Sequence, residues 1–208
     1  AIDNGTSNIR SATITAETAF VPDAANGASL GTTSLEFADL YLHDGAQILW
    51  GADQDVLLTH VADAGLTLKT ATTSDDTQAT LTLQTGDTDI AANDVIGQLH
   101  FQAPDEGTGT DAILVAAGIA AISEGNFAAD NNATSLVFKT GASEAAAEKV
   151  RINSTGYLGI GTTAQVAPLV VSNGGASGME FHPELTTNTN RFVNYNRSGS
   201  AYNKLKVD

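Results

Sequence analysis

The sequence predicts a mainly β protein of short strands with little helix, whose core is completed by identical chains. Three similar phrases recur, Leu66-Thr67-Leu68-Lys69-Thr70, Leu81-Thr82-Leu83-Gln84-Thr85 and Leu136-Val137-Phe138-Lys139-Thr140. Each alternates an apolar side with a Thr-bearing side, as a half-buried strand does. Turn formers interrupt the chain about every 8–12 residues, the spacing of meandering β structure. Composition supplies the third observation. Of 208 residues 42% are hydrophobic, yet they include one Trp, one Met, seven Phe and four Tyr. Much of the remainder is Ala, which buries little area. At about 25 cal/mol per Å² such a core offsets little of the entropy of ordering the chain. An oligomer is therefore expected.

Taken in order, residues 8–22 alternate loosely and break at the turn-rich 22–27. A strand is expected over 34–42, turning at His43-Asp44-Gly45 into 47–50, because Asp-Gly between apolar runs is a hairpin signal. Turns at 51–55 and 62–65 should flank a strand over 56–61 and lead into the first repeated phrase. The same rhythm is expected through 70–94, with acidic turns at 74–76 and 86–89, and 97–102 reads as a further strand. Over 112–122 Ala favours helix, while Ile113, Val115, Ile119 and Ile122 favour strand. The nearly continuous apolar run tips the reading to a buried strand. Residues 143–149 offer one helical turn capped by Ser143, or equally an extended loop. Residues 150–152, a turn at 153–156, 157–163 and 168–171 form another unit. In 191–197 aromatic and Asn residues alternate as in an exposed or interchain strand.

Charge is unevenly placed. The net charge is −15, and residues 1–138 hold only Arg10 and Lys69 against 19 carboxylates, a net −17. Residues 139–208 hold seven basic and five acidic residues, a net +2. The step marks a boundary near Lys139 between an acidic β-repeat region at 31–138 and a near-neutral β-repeat module at 139–208, and the turn-rich stretch sets off a connector segment at 1–30. The acidic part lacks the basic stripe that nucleic acid requires, so no nucleic acid is expected as partner. The most apolar run, 112–122, falls short of the roughly 18 residues of a spanning helix, so no membrane insertion is expected either. With no Cys, disulfides and thiolate metal sites are excluded. The chain starts at Ala1 and stops at Asp208, which suggests a processed product or part of a longer polypeptide that continues into a C-terminal region.

Few residues suggest chemistry. Gly156, Gly159 and Gly161 reverse the order of a dinucleotide loop and lack its helix and lysine, so tight turns and close approach between chains are the better reading. Asp87, Asp89, Asn93 and Asp94 could gather around a divalent cation such as Ca²⁺, the one candidate cofactor, against a default of solvated turn carboxylates. Glu180, His182 and Glu184 alternate toward one strand face, where His182 side chains repeated around an axis could bind a transition metal; a hydrogen-bonding His is the simpler account. His43, His60 and His100 are dispersed, no Ser sits in a nucleophile elbow, and carboxylate pairs such as Asp105-Glu106 are uninformative without geometry, so no enzyme is expected.

Several phrases resemble tail-fibre and related virion appendage proteins of marine bacteriophages. They are 34–42 with 53–61, 110–125, 142–152, and 156–163 with 168–171, the last similar to a repeat unit of fibre shafts. The resemblance implies an elongated homotrimeric fibre, an intertwined β-prism or β-helix-like shaft, on the surface of the virion. It implies contacts with other virion proteins, support of host attachment and no catalytic site in the shaft. Interchain core residues would then be Leu35, Phe37, Leu40, Leu66, Leu68, Leu81, Leu83, Leu99, Phe101, Ile113, Val115, Leu136, Phe138, Ile152, Leu158 and Ile160. The alternatives are a capsid-attached decoration fibre and a carbohydrate-binding adhesin module. In the adhesin, Trp50, Tyr157, Tyr195 or Tyr202 would stack on a host surface glycan.

Overall fold

A computed structural model describes residues 29–51, 53–73, 75–103, 110–175 and 177–204. The chain divides into two compact units, residues 1–80 and 81–208. Among the described residues every regular element is a strand and there is no helix.

The first unit holds one antiparallel sheet of β1 (Gln47–Trp50), β2 (Val56–Val61) and β3 (Gly65–Thr70), with β2 in the centre. Both expected turns form. Gly51 at φ 87° and Gln54 at φ 53° close the first, and Asp63 at φ 58° with Gly65 at φ 137° close the second. Asp44-Gly45 also turns, with the Ala46 amide donating to the His43 carbonyl at 3.0 Å. The expected hairpin is absent, however, because residues 36–43 join no strand. β1 takes its ladder from β2 on the other side, where Gln47 to Trp50 pair with Thr59 to Val56. Leu40 and Leu42 instead lie beside Ile48, Leu58 and Leu66 around a shallow cavity of about 260 Å³.

The second unit is a nine-stranded sheet. Its strands are β4 (Val95–Phe101), β5 (Ala117–Ser123), β6 (Thr134–Thr140), β7 (Ala147–Ile152), β8 (Leu158–Ile160), β9 (Leu169–Ser172), β10 (Ser177–Thr186), β11 (Thr189–Asn196) and β12 (Ala201–Tyr202). They lie side by side in chain order from β4 to β12, an open meander in which neighbours in sequence are neighbours in space. All pairs are antiparallel except β8 with β9, which residues 161–168 connect. Of the run 112–122 only 117–122 enters a strand, as part of β5, where Gly118 and Ala120 are buried, while 112–116 lie before it. Residues 143–146 bend without forming a helical turn and feed β7. Residues 191–196 lie in β11, whose partners β10 and β12 belong to the same chain, and Arg197 begins the turn after it.

One of the three repeated phrases departs from its expectation. The second repeated phrase, Leu81 to Thr85, enters no strand, although its pattern matches the phrases that form β3 and β6. Alternation prepares one face for burial, but a strand also needs a neighbour to share its ladder. The charge step at 138/139 falls inside β6, in mid-ladder, while the division into units falls at 80/81. Charge reports which side chains meet water and not where the backbone pairing stops.

Candidate functional site

Cross-strand register sorts the side chains of the large sheet onto two unlike faces. Directly opposed residues share a face, so one row runs Leu99, Ile119, Phe138, Val150, Ile160, Val171, Met179 and Asn194 across eight strands. The adjacent row runs Gly97, Ala121, Leu136, Ile152, Leu158, Leu169, Phe181 and Phe192. Neither row contains an ionisable side chain. Phe181 and Phe192 meet edge to face with ring centroids 4.5 Å apart, a favourable aromatic geometry. Even so, Phe138 is 36% exposed and Phe181 44% exposed.

The opposite face carries Gln98, Ala120, Val137, Arg151, Gly159, Val170, Glu180 and Val193 in one row. Ala120, Val137, Val170, Glu180 and Val193 are all at most 5% exposed. The crossover 161–168 lies over this face. A Cβ on Gly159 would come within 2.8 Å of the Thr162 carbonyl oxygen, and Ala167 is 1% exposed. Small side chains thus let the chain's own loop cover one face, while the large side chains stand on the face it leaves uncovered.

Two carboxylates on the covered side are held by hydrogen bonds. Glu180 receives the Arg197 guanidinium, with Nε donating to Oε1 at 2.9 Å, and its Oε2 lies 2.9 Å from His182 Nε2. Burial opposes its ionisation most, but the Arg197 and His182 hydrogen bonds and charges together outweigh it and hold the carboxyl below 4.5. Glu124 accepts the Ser154 amide at 2.8 Å and the hydroxyls of Ser135 and Ser154. There too burial is the largest single influence, and the serine donors with the Arg151 charge turn the balance downward. Arg151 makes a two-pronged contact with Glu148 at 2.7 and 2.8 Å, which raises its own pKa. Glu124, Ser135 and Arg151 line a polar recess of about 320 Å³ with Asn93, Asn153 and Gln165.

The residues singled out in the sequence separate accordingly. Leu99, Leu136, Phe138, Ile152, Leu158 and Ile160 come together on the uncovered face, and Phe101 has the same strand parity as Leu99. Leu66 and Leu68 belong to β3 of the first unit, where Leu35 and Phe37 lie outside the strands, and Leu40 lines its cavity. Leu81, Leu83, Ile113 and Val115 of the second unit also fall outside the strands. All of these except the half-buried Leu158 and Val115 are exposed in the single chain. Ile119, Val150, Leu169, Val171, Phe181 and Phe192 complete the face and were not among the interchain core candidates. Alternation within 169–172 and 177–182 was the available signal, but only register places those strands beside the others.

The acidic candidates stabilise turns. Asp87 Oδ1 accepts the Asp89 amide at 2.9 Å and Asp94 Oδ2 accepts the Ala91 amide at 2.7 Å. Among the described residues no three His, Cys, Asp or Glu side chains gather as a metal group. His182 faces Glu180, while the Glu184 side chain lies outside the described residues, as do Asp105 and Glu106. Gly161 does provide close approach, but to Ser172 of its own chain.

Of the aromatic candidates, Trp50 stands half-exposed on β1 and Tyr157 follows the turn at 153–156. Tyr195 and Tyr202 form an edge-on pair 5.2 Å apart, flanked by Arg197 at 4.8 Å from the Tyr195 ring and Arg191 at 5.5 Å from the Tyr202 ring. Among the described residues no helix is long and apolar enough to cross a membrane. Comparison with known proteins finds no family model and no curated sequence that matches the chain.

Proposed function

We propose that this chain is a structural, non-enzymatic segment of a bacteriophage fibre, a tail fibre in the first instance, assembled as a homotrimer on the virion and supporting host attachment. The observation that carries the proposal is the broad face of large apolar side chains left uncovered by a chain whose own core is built from Ala, Ser and Val. A protein with so little interior of its own gains most by sharing one. The phrases that resemble phage appendage shafts supply the virion setting, and the carboxylates of the buried Glu180 and the exposed Glu124 are occupied in holding loops and strands together. Sedimentation of the purified chain together with a density map of the phage particle tests the reading. A trimer located in an appendage is expected, and a compact monomer or a protein absent from particles would refute it.

One observation favours a second reading, a carbohydrate-binding adhesin module. Tyr202 is 68% exposed beside Tyr195 and two arginines, an arrangement suited to stacking on a sugar ring that carries an acidic group. A glycan array separates the two, since a pure shaft binds nothing there.

A further inference from the structure

We infer that the uncovered face of the nine-stranded sheet is the surface on which copies of this chain pack against one another, each copy contributing a preformed sheet rather than exchanging strands. The inference deepens the fibre reading, from which it takes a sister chain as partner, and it selects face-to-face prism packing over an intertwined or β-helix-like shaft.

Every ladder that defines the sheet from β4 to β12 joins strands of one chain, so main-chain pairing is complete across its interior without a partner. What the single chain lacks is a second layer. A sheet is stable when each apolar face is covered, and here the loop 161–168 covers only the small-residue side. On the other side Leu99, Leu136, Phe138, Ile152, Phe181 and Phe192 are each 36–45% exposed. With their neighbours in the two rows they offer roughly 800 Å², about one partner's share of a standard interface. That exceeds the few hundred Å² of apolar patch that a monomer usually shows.

Charge marks this face as the place where sister copies can meet. The chain's −15 is concentrated in residues 1–138, so copies repel one another most where those acidic turns approach. The two apolar rows contain no ionisable group, so this is where like-charged copies approach at least cost. A basic partner would be drawn to the acidic turns instead.

The test uses the full chain, whose lack of cysteine makes single introduced thiols specific probes. Sedimentation is measured for the wild type, Phe138→Asp and Phe181→Asp, with circular dichroism as the check on folding. A wild-type oligomer and variants that keep their β spectrum but sediment as monomers are expected. Ile152→Cys should react with a water-soluble maleimide about tenfold or more slowly than Thr155→Cys in the neighbouring turn, a ratio that reports burial even if the Asp variants fail to fold. Variants that assemble like the wild type, or equal labelling of the two thiols, would overturn the face assignment while leaving an oligomeric fibre intact. A monomeric wild type would overturn both. Assembly through this face by a protein absent from phage particles would remove the fibre reading alone.

Discussion

Gly161→Ala should be among the most damaging single-methyl changes in the second unit, and its cost can be worked from two separate features. Gly161 sits at φ 67°, where a side chain brings about 1–2 kcal/mol of backbone strain. A Cβ there would also stand 2.1 Å from the Ser172 carbonyl oxygen, which belongs to backbone and cannot swing aside. Relieving that overlap separates the β8 end from β9. It endangers the bond from the Gly161 amide to the Lys149 carbonyl at 2.8 Å and the bond from the Gly174 amide to the Gly161 carbonyl at 3.1 Å. At about 1 kcal/mol for each bond the total is about 3–4 kcal/mol. Gly156→Ala is the internal control, for its φ is 80° but nothing lies within 4 Å of the added carbon, so about 1–2 kcal/mol is expected. Urea unfolding followed by circular dichroism at one fixed chain concentration measures both. Equal midpoints and slopes for the two variants would refute the close approach of β8 and β9.

Acid should weaken the second unit. Glu180 and Glu124 both have folded pKa values below 4.5, so the stability from their ionised forms is complete above that pH and is lost as pH falls through the lower folded values. A thermal melt that declines below about pH 4.5 is expected, and Glu180→Gln should flatten the decline; an unchanged profile in the variant would contradict the Arg197 and His182 contacts. Val137→Ala, at a side chain with 0% exposure, should cost about 1–3 kcal/mol, and hydrogen exchange of β5 to β7 would show whether the loss is centred there. Chelator should leave the melting temperature unchanged, because Asp87 and Asp94 bond to the amides of Asp89 and Ala91; a clear drop would restore the cation.

Local pattern determined much of the strand content. Alternation marked β2, β3, β4, β6 and β8, and the turns at 51–55, 62–65 and 153–156 are written in Gly, Asp and Asn, residues that tolerate positive φ or bond their own backbone. The nearly continuous apolar run over 112–122 marked the strand at 117–122 but not the turn and coil at 112–116, and the shortage of bulky side chains was plain from composition. Pairing was decided elsewhere. Leu81 to Thr85 carries the same pattern as β3 and β6 yet joins no ladder, and Asp44-Gly45 turns without making a hairpin, because a neighbour for the strand is a property of the whole chain. Glu180 and Arg197 lie 17 residues apart, and Glu124 and Ser154 lie 30 apart, so no local pattern announces them. Tertiary structure also decided which apolar residues share a face. A strand's period of two assigns each side chain to one of two sides, but only register aligns those sides from β4 to β11 and leaves the bulky one open to water.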